Sequence, residues 1–396
     1  MPDYGQAAIS VSSAPPARAE VTEPGIKLRG RINAVGEFYM QFPNFLEPEP
    51  RPRKQKRINE PKYLIEAINQ RPNYFEMAPN RRDVEFKTLD GLTLRAWLYP
   101  AGLSSPCIIM SHGVSHVLKA VCVHGCRVNA VYPQFSGIKH HHLNSFAERF
   151  QEEGWTTLVY DNRNWGESDG LPRNEIDPVQ QVKDYFDAFD SAVSHPEVDP
   201  KRVVYWGSSL SGGNVICAAA IDRRIKAVVA QIPFVSGELQ SAPMAGMVPA
   251  LFANRTNVRA GNPSAMIPII PDSFEQAETG HSPAVLNTPD AFNFLNGLSE
   301  RGGNWENKVT LQTMFNILSF EPRAFINRIA PTPFLMVVSE NDTTVPTAYQ
   351  LAAYQQALEP KQLHVIRNTG HFGVYTGLPF EENIKVQIDF LRKNLQ

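Results

Sequence analysis

The chain has little of what marks a secreted, membrane-spanning or nucleic-acid-binding protein. It has four cysteines in 396 residues, too few for a disulfide framework. Its 38 Lys and Arg nearly balance its 40 Asp and Glu, which excludes nucleic-acid binding through bulk positive charge. No apolar run approaches the roughly 18 residues of a membrane span, and residues 1–16 lack the pattern of a signal peptide. We therefore expect a globular cytoplasmic protein with no membrane span.

A long patterned region follows an irregular N-terminal extension. Residues 1–25 are rich in Ala, Ser and Pro, and residues 47–57 are proline-rich and charged, so residues 1–80 are predicted to be partly disordered. From residue 83 onward, helical patterns separate short apolar runs: VEFKTL and LTLRAWLY joined at Asp90-Gly91, then CIIM, TTLVY, RVVYW, AVVAQI, PFLMVV and LHVI. Apolar strands separated by amphipathic helices predict an α/β protein, with a mostly parallel central sheet covered by helices on both faces.

The alternation is interrupted once, between residues 236 and 330. Pro, Met, Phe and Asn are mixed there with helical segments, and no strand is evident. We interpret this segment as a helical cap inserted after the sixth strand, which divides the core into residues 81–235 and 331–396. Its Met and Phe side chains are predicted either to form the core of the cap or to line a tunnel.

A candidate nucleophile follows the run RVVYW. The sequence Gly207-Ser208-Ser209-Leu210-Ser211 precedes an apolar helical pattern, so strand, turn and helix surround a G-x-S-x-S motif. This motif is close to the G-x-S-x-G nucleophile elbow, in which small neighbours allow a sharp turn to expose the serine hydroxyl. Ser209 occupies the central position and is the predicted nucleophile. The alternative is a Ser/Gly-rich loop that only leads into a helix.

A serine nucleophile needs a histidine base and an acid that orients the base. After a nucleophile elbow of this kind, the acid is expected first along the chain and the histidine second. Asp342 comes just after the run PFLMVV, and His371 comes just after LHVI. Both are therefore expected at the sheet edge that carries Ser209. Glu340 is the competing acid, but it lies nearer the strand and is less well placed to reach His371.

Acyl transfer also needs backbone donors for the tetrahedral oxyanion. The first predicted donor is Leu210, the residue after the nucleophile, and the second lies in the loop that begins at His112-Gly113. The turn after TTLVY is expected to support this loop. Within that turn, Asp161 and Arg163 are predicted to form an internal ion pair.

These motifs resemble the α/β-hydrolase superfamily and, more narrowly, the fungal polyketide transferase family of secondary-metabolite gene clusters. The resemblance runs from about residue 83 to residue 395 and rests on SHG, FSGIKHHHL, YDNRNWGESDG, VYWGSSLSGG, AQIPFVSGE, Trp305-Glu306-Asn307, LMVVSENDTTVP and GHF. It implies a Ser-His-Asp acyltransferase or hydrolase that takes a polyketide acyl thioester from a synthase acyl carrier protein and passes the acyl chain to an alcohol. No cofactor or metal is implied.

Residues 114–134 depart from that family, whose members pass directly from His-Gly to Phe-Ser-Gly. Cys122, His124 and Cys126 within this segment are spaced too tightly for a tetrahedral zinc site. Codons for its first two residues, Val-Ser, can match a splice donor sequence, and a codon for its last residue, Gln, can match a splice acceptor. We therefore interpret the segment as a translated intron. The candidate second donors are therefore Val114 in the chain as written and Phe135 when the segment is removed.

Three functions stay open on the sequence alone. The first is an acyltransferase that works through a covalent acyl-Ser209 intermediate. The second is a thioesterase or esterase that releases the acid to water. The third is a binding protein that the insertion has inactivated. The substrate-binding residues are not predictable, because apolar pockets select by shape.

Overall fold

The computed structural model of the protein describes residues 80–113, 143–299 and 306–396, together with the backbone of three short strands nearer the N-terminus. The chain divides into two units, residues 1–73 and residues 74–396. The inserted segment 114–134 lies outside the described residues, and so does Phe135. The three candidate zinc ligands and both candidate second oxyanion donors therefore lie outside them too.

The described part of the first unit is an antiparallel sheet. Its strands are β1 (Arg18–Glu23), β2 (Ile26–Ile32) and β3 (Phe38–Met40), which pair in that order. β1 therefore lies within the segment that was expected to be a disordered tail. The remainder of that tail, residues 1–17 and 24–25, lies outside the described residues, as does the charged segment 47–57.

The second unit is built on a central sheet. Its described strands are β4 (Arg82–Lys87), β5 (Thr93–Tyr99), β6 (Ser105–Ser111), β7 (Thr156–Tyr160), β8 (Val198–Ser208), β9 (Ala227–Gln231), β10 (Met266–Ile267), β11 (Val309–Thr310), β12 (Phe334–Ser339) and β13 (Lys361–Ile366). Eight of them form one sheet in the order β13-β12-β9-β8-β6-β7-β5-β4, with β5 antiparallel to both neighbours and the other pairs parallel. Because β6, β7, β9 and β12 are buried throughout, their sequences are apolar runs. The predicted fold class is confirmed.

Helices cover both faces of this sheet. The described α-helices of this unit, including those of the inserted segment, are α1 (Leu143–Glu152), α2 (Pro178–Ala192), α3 (Leu210–Ala219), α4 (Gly237–Ser241), α5 (Val248–Arg259), α6 (Phe274–Thr279), α7 (Pro289–Ser299), α8 (Leu311–Leu318), α9 (Thr347–Gln356) and α10 (Gly377–Asn394). Along β6, Cys107 and Ile109 pack into the core that includes α2 and α3, whereas Ile108 and Met110 pack into the core that includes α1 and α10. This alternation of side chains places one hydrophobic core on each face.

The hairpin at Asp90-Gly91 has a longer loop than the sequence suggested. The strands end at Lys87 and resume at Thr93, and the Thr88 N–H donates to the Leu92 carbonyl at 2.9 Å. Gly91 adopts a φ of 91°, which favours glycine. The turn dipeptide was therefore located correctly, but the strands reach less far into the turn than predicted.

The predicted cap position after the sixth strand of the sheet is confirmed. Between β9 and β12 the chain forms α4 to α8, in a segment that also contains the pair β10 and β11. The prediction that this segment has no strand is wrong, because two-residue strands are too short to produce an alternating pattern. Among the described residues, no helix combines the length and the apolar character that a membrane crossing requires.

Candidate active site

The turn between β8 and α3 holds a strained serine. Ser209 has φ 58° and ψ −121°, a conformation that non-glycine residues rarely adopt. Strand and helix approach closely here because Gly207 has no side chain, and a Cβ atom on it would collide with the Ser211 carbonyl. This is the geometry of a nucleophile elbow, with the Ser209 hydroxyl at the N-terminus of α3.

The neighbouring serine lies in a different environment. Ser208 is 1% exposed, its Oγ accepts a hydrogen bond from Gln231 Nε2 at 2.9 Å, and it also contacts the Tyr375 hydroxyl. Ser209 is half-buried and lines a cavity. Of these two serines, Ser209 is therefore the one that a substrate in the cavity can reach.

The three residues proposed as a triad form one hydrogen-bonded chain. His371 Nε2 lies 3.0 Å from Ser209 Oγ, and His371 Nδ1 lies 2.8 Å from Asp342 Oδ2. Asp342 follows β12 and His371 follows β13, so all three residues reach the same edge of the sheet. In this arrangement His371 can take the Ser209 proton while Asp342 stabilises the resulting imidazolium.

The carboxylate of Asp342 is held by several donors. Its Oδ1 accepts from the Val345 N–H at 2.8 Å, and its Oδ2 accepts from Gln350 Nε2 at 3.0 Å. Gln350 is fully buried on α9 and had not been singled out from the sequence, because a glutamine in a helix carries no distinctive signal. The competing acid Glu340 is exposed and accepts from the Asn368 N–H.

The start of the predicted oxyanion loop contacts the elbow. A Cβ atom on Gly113 would lie 2.8 Å from Ser209 Cβ and 3.2 Å from the Leu210 nitrogen, so a glycine is required there. Leu210 is the first residue of α3, where backbone N–H groups have no acceptor within the helix. The structure therefore brings Leu210 beside Gly113, whereas Val114 and Phe135 lie outside the described residues.

Ser211, which replaces the last glycine of the motif, helps to hold this loop. Its Oγ donates to the His112 carbonyl, and Asn162 Nδ2 donates to the same carbonyl at 2.9 Å. Ser111 Oγ in turn donates to Asn162 Oδ1 at 2.7 Å. The turn after β7 therefore supports the peptide that leads into Gly113.

Arg163, in the same turn, does not pair with Asp161 as predicted. Its guanidinium instead binds the buried Asp184 of α2 and also Asp90, with Nε 2.8 Å from Asp184 Oδ2 and Nη1 2.7 Å from Asp90 Oδ2. Asp161 Oδ2 accepts from the Glu167 N–H at 3.1 Å. The prediction was wrong because it relied on closeness in sequence, whereas the Arg163 side chain points toward α2.

A cavity of about 300 Å³ opens beside Ser209. Its lining is mostly apolar and comes from the elbow, the cap and the loop that carries Asp342. It includes Leu210, Phe234, Leu239, Val285, Met314 and Ile317. Of the cap residues considered for a tunnel, Met314 lines the cavity, whereas Phe252 and Met266 are exposed.

Comparisons with known proteins agree with this fold. The model of the "Alpha/beta hydrolase family" matches residues 120–383. The chain is 32% identical to the polyketide transferase ATR5 of Stachybotrys chlorohalonatus, over 80% of this chain and 98% of that protein. It is also 32% identical to a thiohydrolase of Eupenicillium brefeldianum, over 80% of this chain and 95% of that protein.

Among solved structures, the chain is similar to the α/β hydrolase GrgF from Penicillium sp. sh18. The TM-score is 0.65 at 32% sequence identity, and the match covers 80% of this chain and 99% of GrgF. With its sheet order, its elbow and these relatives, the chain belongs to the α/β-hydrolase family.

Proposed function

We propose that the protein is a serine-dependent acyltransferase of polyketide biosynthesis. The observation that carries this proposal is the chain of hydrogen bonds from Ser209 through His371 to Asp342 beside an apolar cavity. The polyketide substrate class is taken from the printed names of relatives such as ATR5.

In the first half-reaction, Ser209 Oγ attacks the carbonyl carbon of an acyl thioester while His371 Nε2 accepts the hydroxyl proton. The negative charge of the tetrahedral intermediate falls on the former carbonyl oxygen. The Leu210 N–H is one donor to this oxygen. When the carbon–sulfur bond breaks, His371 returns the proton to the leaving thiolate, which leaves an acyl-Ser209 ester and a free thiol.

In the second half-reaction, an alcohol hydroxyl attacks the acyl-Ser209 ester. His371 accepts the alcohol proton and then returns it to Ser209 Oγ, so the products are a new ester and the original enzyme. The same chemistry with water would release a carboxylic acid. The similarity to the thiohydrolase of Eupenicillium brefeldianum supports this hydrolytic alternative.

The cavity supports an apolar acyl substrate of moderate size. The cavity of about 300 Å³ has a mostly apolar lining among the described residues. The polar groups on this lining, such as Thr343 and Gln240, are uncharged. We infer that the site takes an uncharged acyl chain, whose thioester lies at Ser209.

The third possibility, an inactivated binding protein, is disfavoured by the alignment of the site. A protein that no longer used the triad would have no need to keep a strained Ser209 within hydrogen-bond distance of a buried His371. The insertion at residues 114–134 is the feature that still favours this alternative.

Trapping the intermediate tests the proposed mechanism. Incubation with an acyl thioester of N-acetylcysteamine, followed by acid quench and peptide mass spectrometry, should give one acyl group on the peptide that contains Ser209. The Ser209→Ala variant should give none. Turnover of the thioester with the acyl group on another residue, or turnover by Ser209→Ala at the wild-type rate, would contradict acyl-Ser209 as the intermediate.

A further inference from the structure

Tyr375 connects the loop that carries His371 to the elbow that carries Ser209. It ends the short 3₁₀ helix Gly373–Tyr375, four residues after His371. Its hydroxyl lies 2.5 Å from Ser208 Oγ, the side chain next to the proposed nucleophile. Burial raises the pKa of Tyr375 to about 12, so the hydroxyl keeps its proton in neutral solution.

Buried amides fix the other side of this contact. Gln231 Nε2 donates to Ser208 Oγ at 2.9 Å, and Gln231 Oε1 accepts from Asn383 Nδ2 at 2.6 Å and from Gln387 Nε2 at 2.9 Å. These three amide side chains are fully buried. Buried polar groups joined in this way hold one geometry, because any displacement leaves a donor or acceptor without a partner.

The ring of Tyr375 contacts the cap. Its centroid lies 5.5 Å from that of Phe294 on α7, and Phe294 also stacks on Phe372 at 4.8 Å. Phe372 directly follows His371, and their rings meet edge to face at 4.9 Å. Asp290, in the first turn of α7, accepts from the Phe372 N–H at 3.3 Å. The cap helix α7 therefore contacts the loop that carries His371, here called the histidine loop, at both Phe372 and Tyr375.

We propose that Tyr375 is a positioning residue that makes the alignment of His371 with Ser209 depend on the docking of cap helix α7. This inference rests on the proposed function for the roles of Ser209 and His371. The Tyr375 hydroxyl joins the histidine loop to the elbow, and its ring joins the same loop to Phe294. Neither Tyr375 nor Phe294 lines the cavity, so both act on the triad rather than on substrate binding.

The test uses Tyr375→Phe, which removes only the hydroxyl, and Phe294→Leu, which removes the ring contacts with Tyr375 and Phe372. We expect kcat for a short p-nitrophenyl ester to fall about 10-fold in each, with KM within twofold, since a displacement of about 1 Å can cost about 10²-fold in rate. The rate of labelling by a small fluorophosphonate should fall in parallel. The double variant should lose less than the product of the two single losses, because both contacts act through one loop.

Tyr205→Phe is the matched control. The Tyr205 hydroxyl is also buried, but it binds Asp222 and the Tyr185 carbonyl, away from the histidine loop. At equal fraction folded, a loss of kcat in Tyr205→Phe equal to that in Tyr375→Phe would overturn the inference. So would a kcat within twofold of wild type in both Tyr375→Phe and Phe294→Leu.

A second readout does not depend on turnover. The proton shared by His371 and Asp342 should give a downfield NMR signal, which we expect to broaden through faster exchange in Tyr375→Phe and to stay unchanged in Tyr205→Phe. An unchanged signal in Tyr375→Phe would contradict the positioning role. A wild-type protein that shows this signal but resists the phosphonate would instead contradict the proposed nucleophile.

Discussion

Ser208 and Ser209 are adjacent in sequence, but the structure gives them different chemistry. We predict that Ser209→Ala abolishes labelling by a fluorophosphonate, because the reactive oxygen is removed. Ser208→Ala should still be labelled fully at Ser209, with a rate lowered by no more than about 10-fold through the lost Tyr375 contact. Intact-protein mass spectrometry over time measures both. Complete labelling of Ser209→Ala would identify a different nucleophile.

We predict that His112 makes the stability of the protein depend on pH. Burial lowers its pKa to about 4, whereas an unfolded histidine titrates near 6.5. Between these values the unfolded state binds the extra proton, so this contribution to stability is present above about pH 6.5 and is lost as the pH falls toward 4. The shift corresponds to about 3 kcal/mol. Urea unfolding at several pH values measures it.

Comparison of variants isolates the contribution of His112. In His112→Gln, which cannot gain the proton, the free energy of unfolding should vary less between pH 6.5 and 4 than in the wild type. His281→Gln, at an exposed position, should keep the wild-type dependence. If His112→Gln and wild type show the same dependence, His112 is not the group responsible.

We expect activity to depend strongly on whether the segment 114–134 is present in the chain. Gly113 lies against Ser209 and Leu210, close to where the oxyanion is proposed to bind. If the segment is a translated intron, the natural protein joins Gly113 to Phe135, and the Phe135 N–H is the second donor. We predict that this shortened protein turns over about 10²–10³-fold faster than the full chain, the usual effect of one oxyanion donor.

Two independent measurements check that prediction. The mature transcript should lack the 21 codons of the segment, and a transcript that retains them would refute the intron interpretation. Equal turnover by the shortened and full-length proteins, both folded, would separately refute the role of Phe135. The first result concerns the gene and the second concerns the chemistry.

The elements that sequence predicted well are those whose burial is uniform. β6, β9 and β12 are buried along their whole length, so their apolar runs could be recognised, and the residues after β8, β12 and β13 gave the triad candidates. β10 and β11 were missed because a strand of two residues is too short to show the alternation of apolar and polar residues. Gln350 and Tyr375 were missed for a different reason, since their contacts arise only when distant segments pack together.

At the scale of the whole molecule, we propose that the cap controls both the size of the site and the alignment of its residues. Cap residues such as Val285 and Met314 line the cavity beside Ser209, and α7 contacts the loop of His371. An apolar site that excludes water from the proposed acyl-enzyme would favour a second substrate that brings its own hydroxyl. Transfer and hydrolysis would use the same three residues, so we expect the cap to decide between them.

We predict that ester forms faster than free acid when the protein is given an acyl thioester and a saturating concentration of the pathway alcohol. Without the alcohol, acid should appear slowly, because water reaches the acyl-Ser209 ester poorly in the apolar cavity. Liquid chromatography with mass spectrometry measures both products, and Ser209→Ala, which should give neither, corrects for the uncatalysed reaction. If acid dominates at saturating alcohol, the protein is a thioesterase, as the similarity to the Eupenicillium brefeldianum thiohydrolase would then suggest.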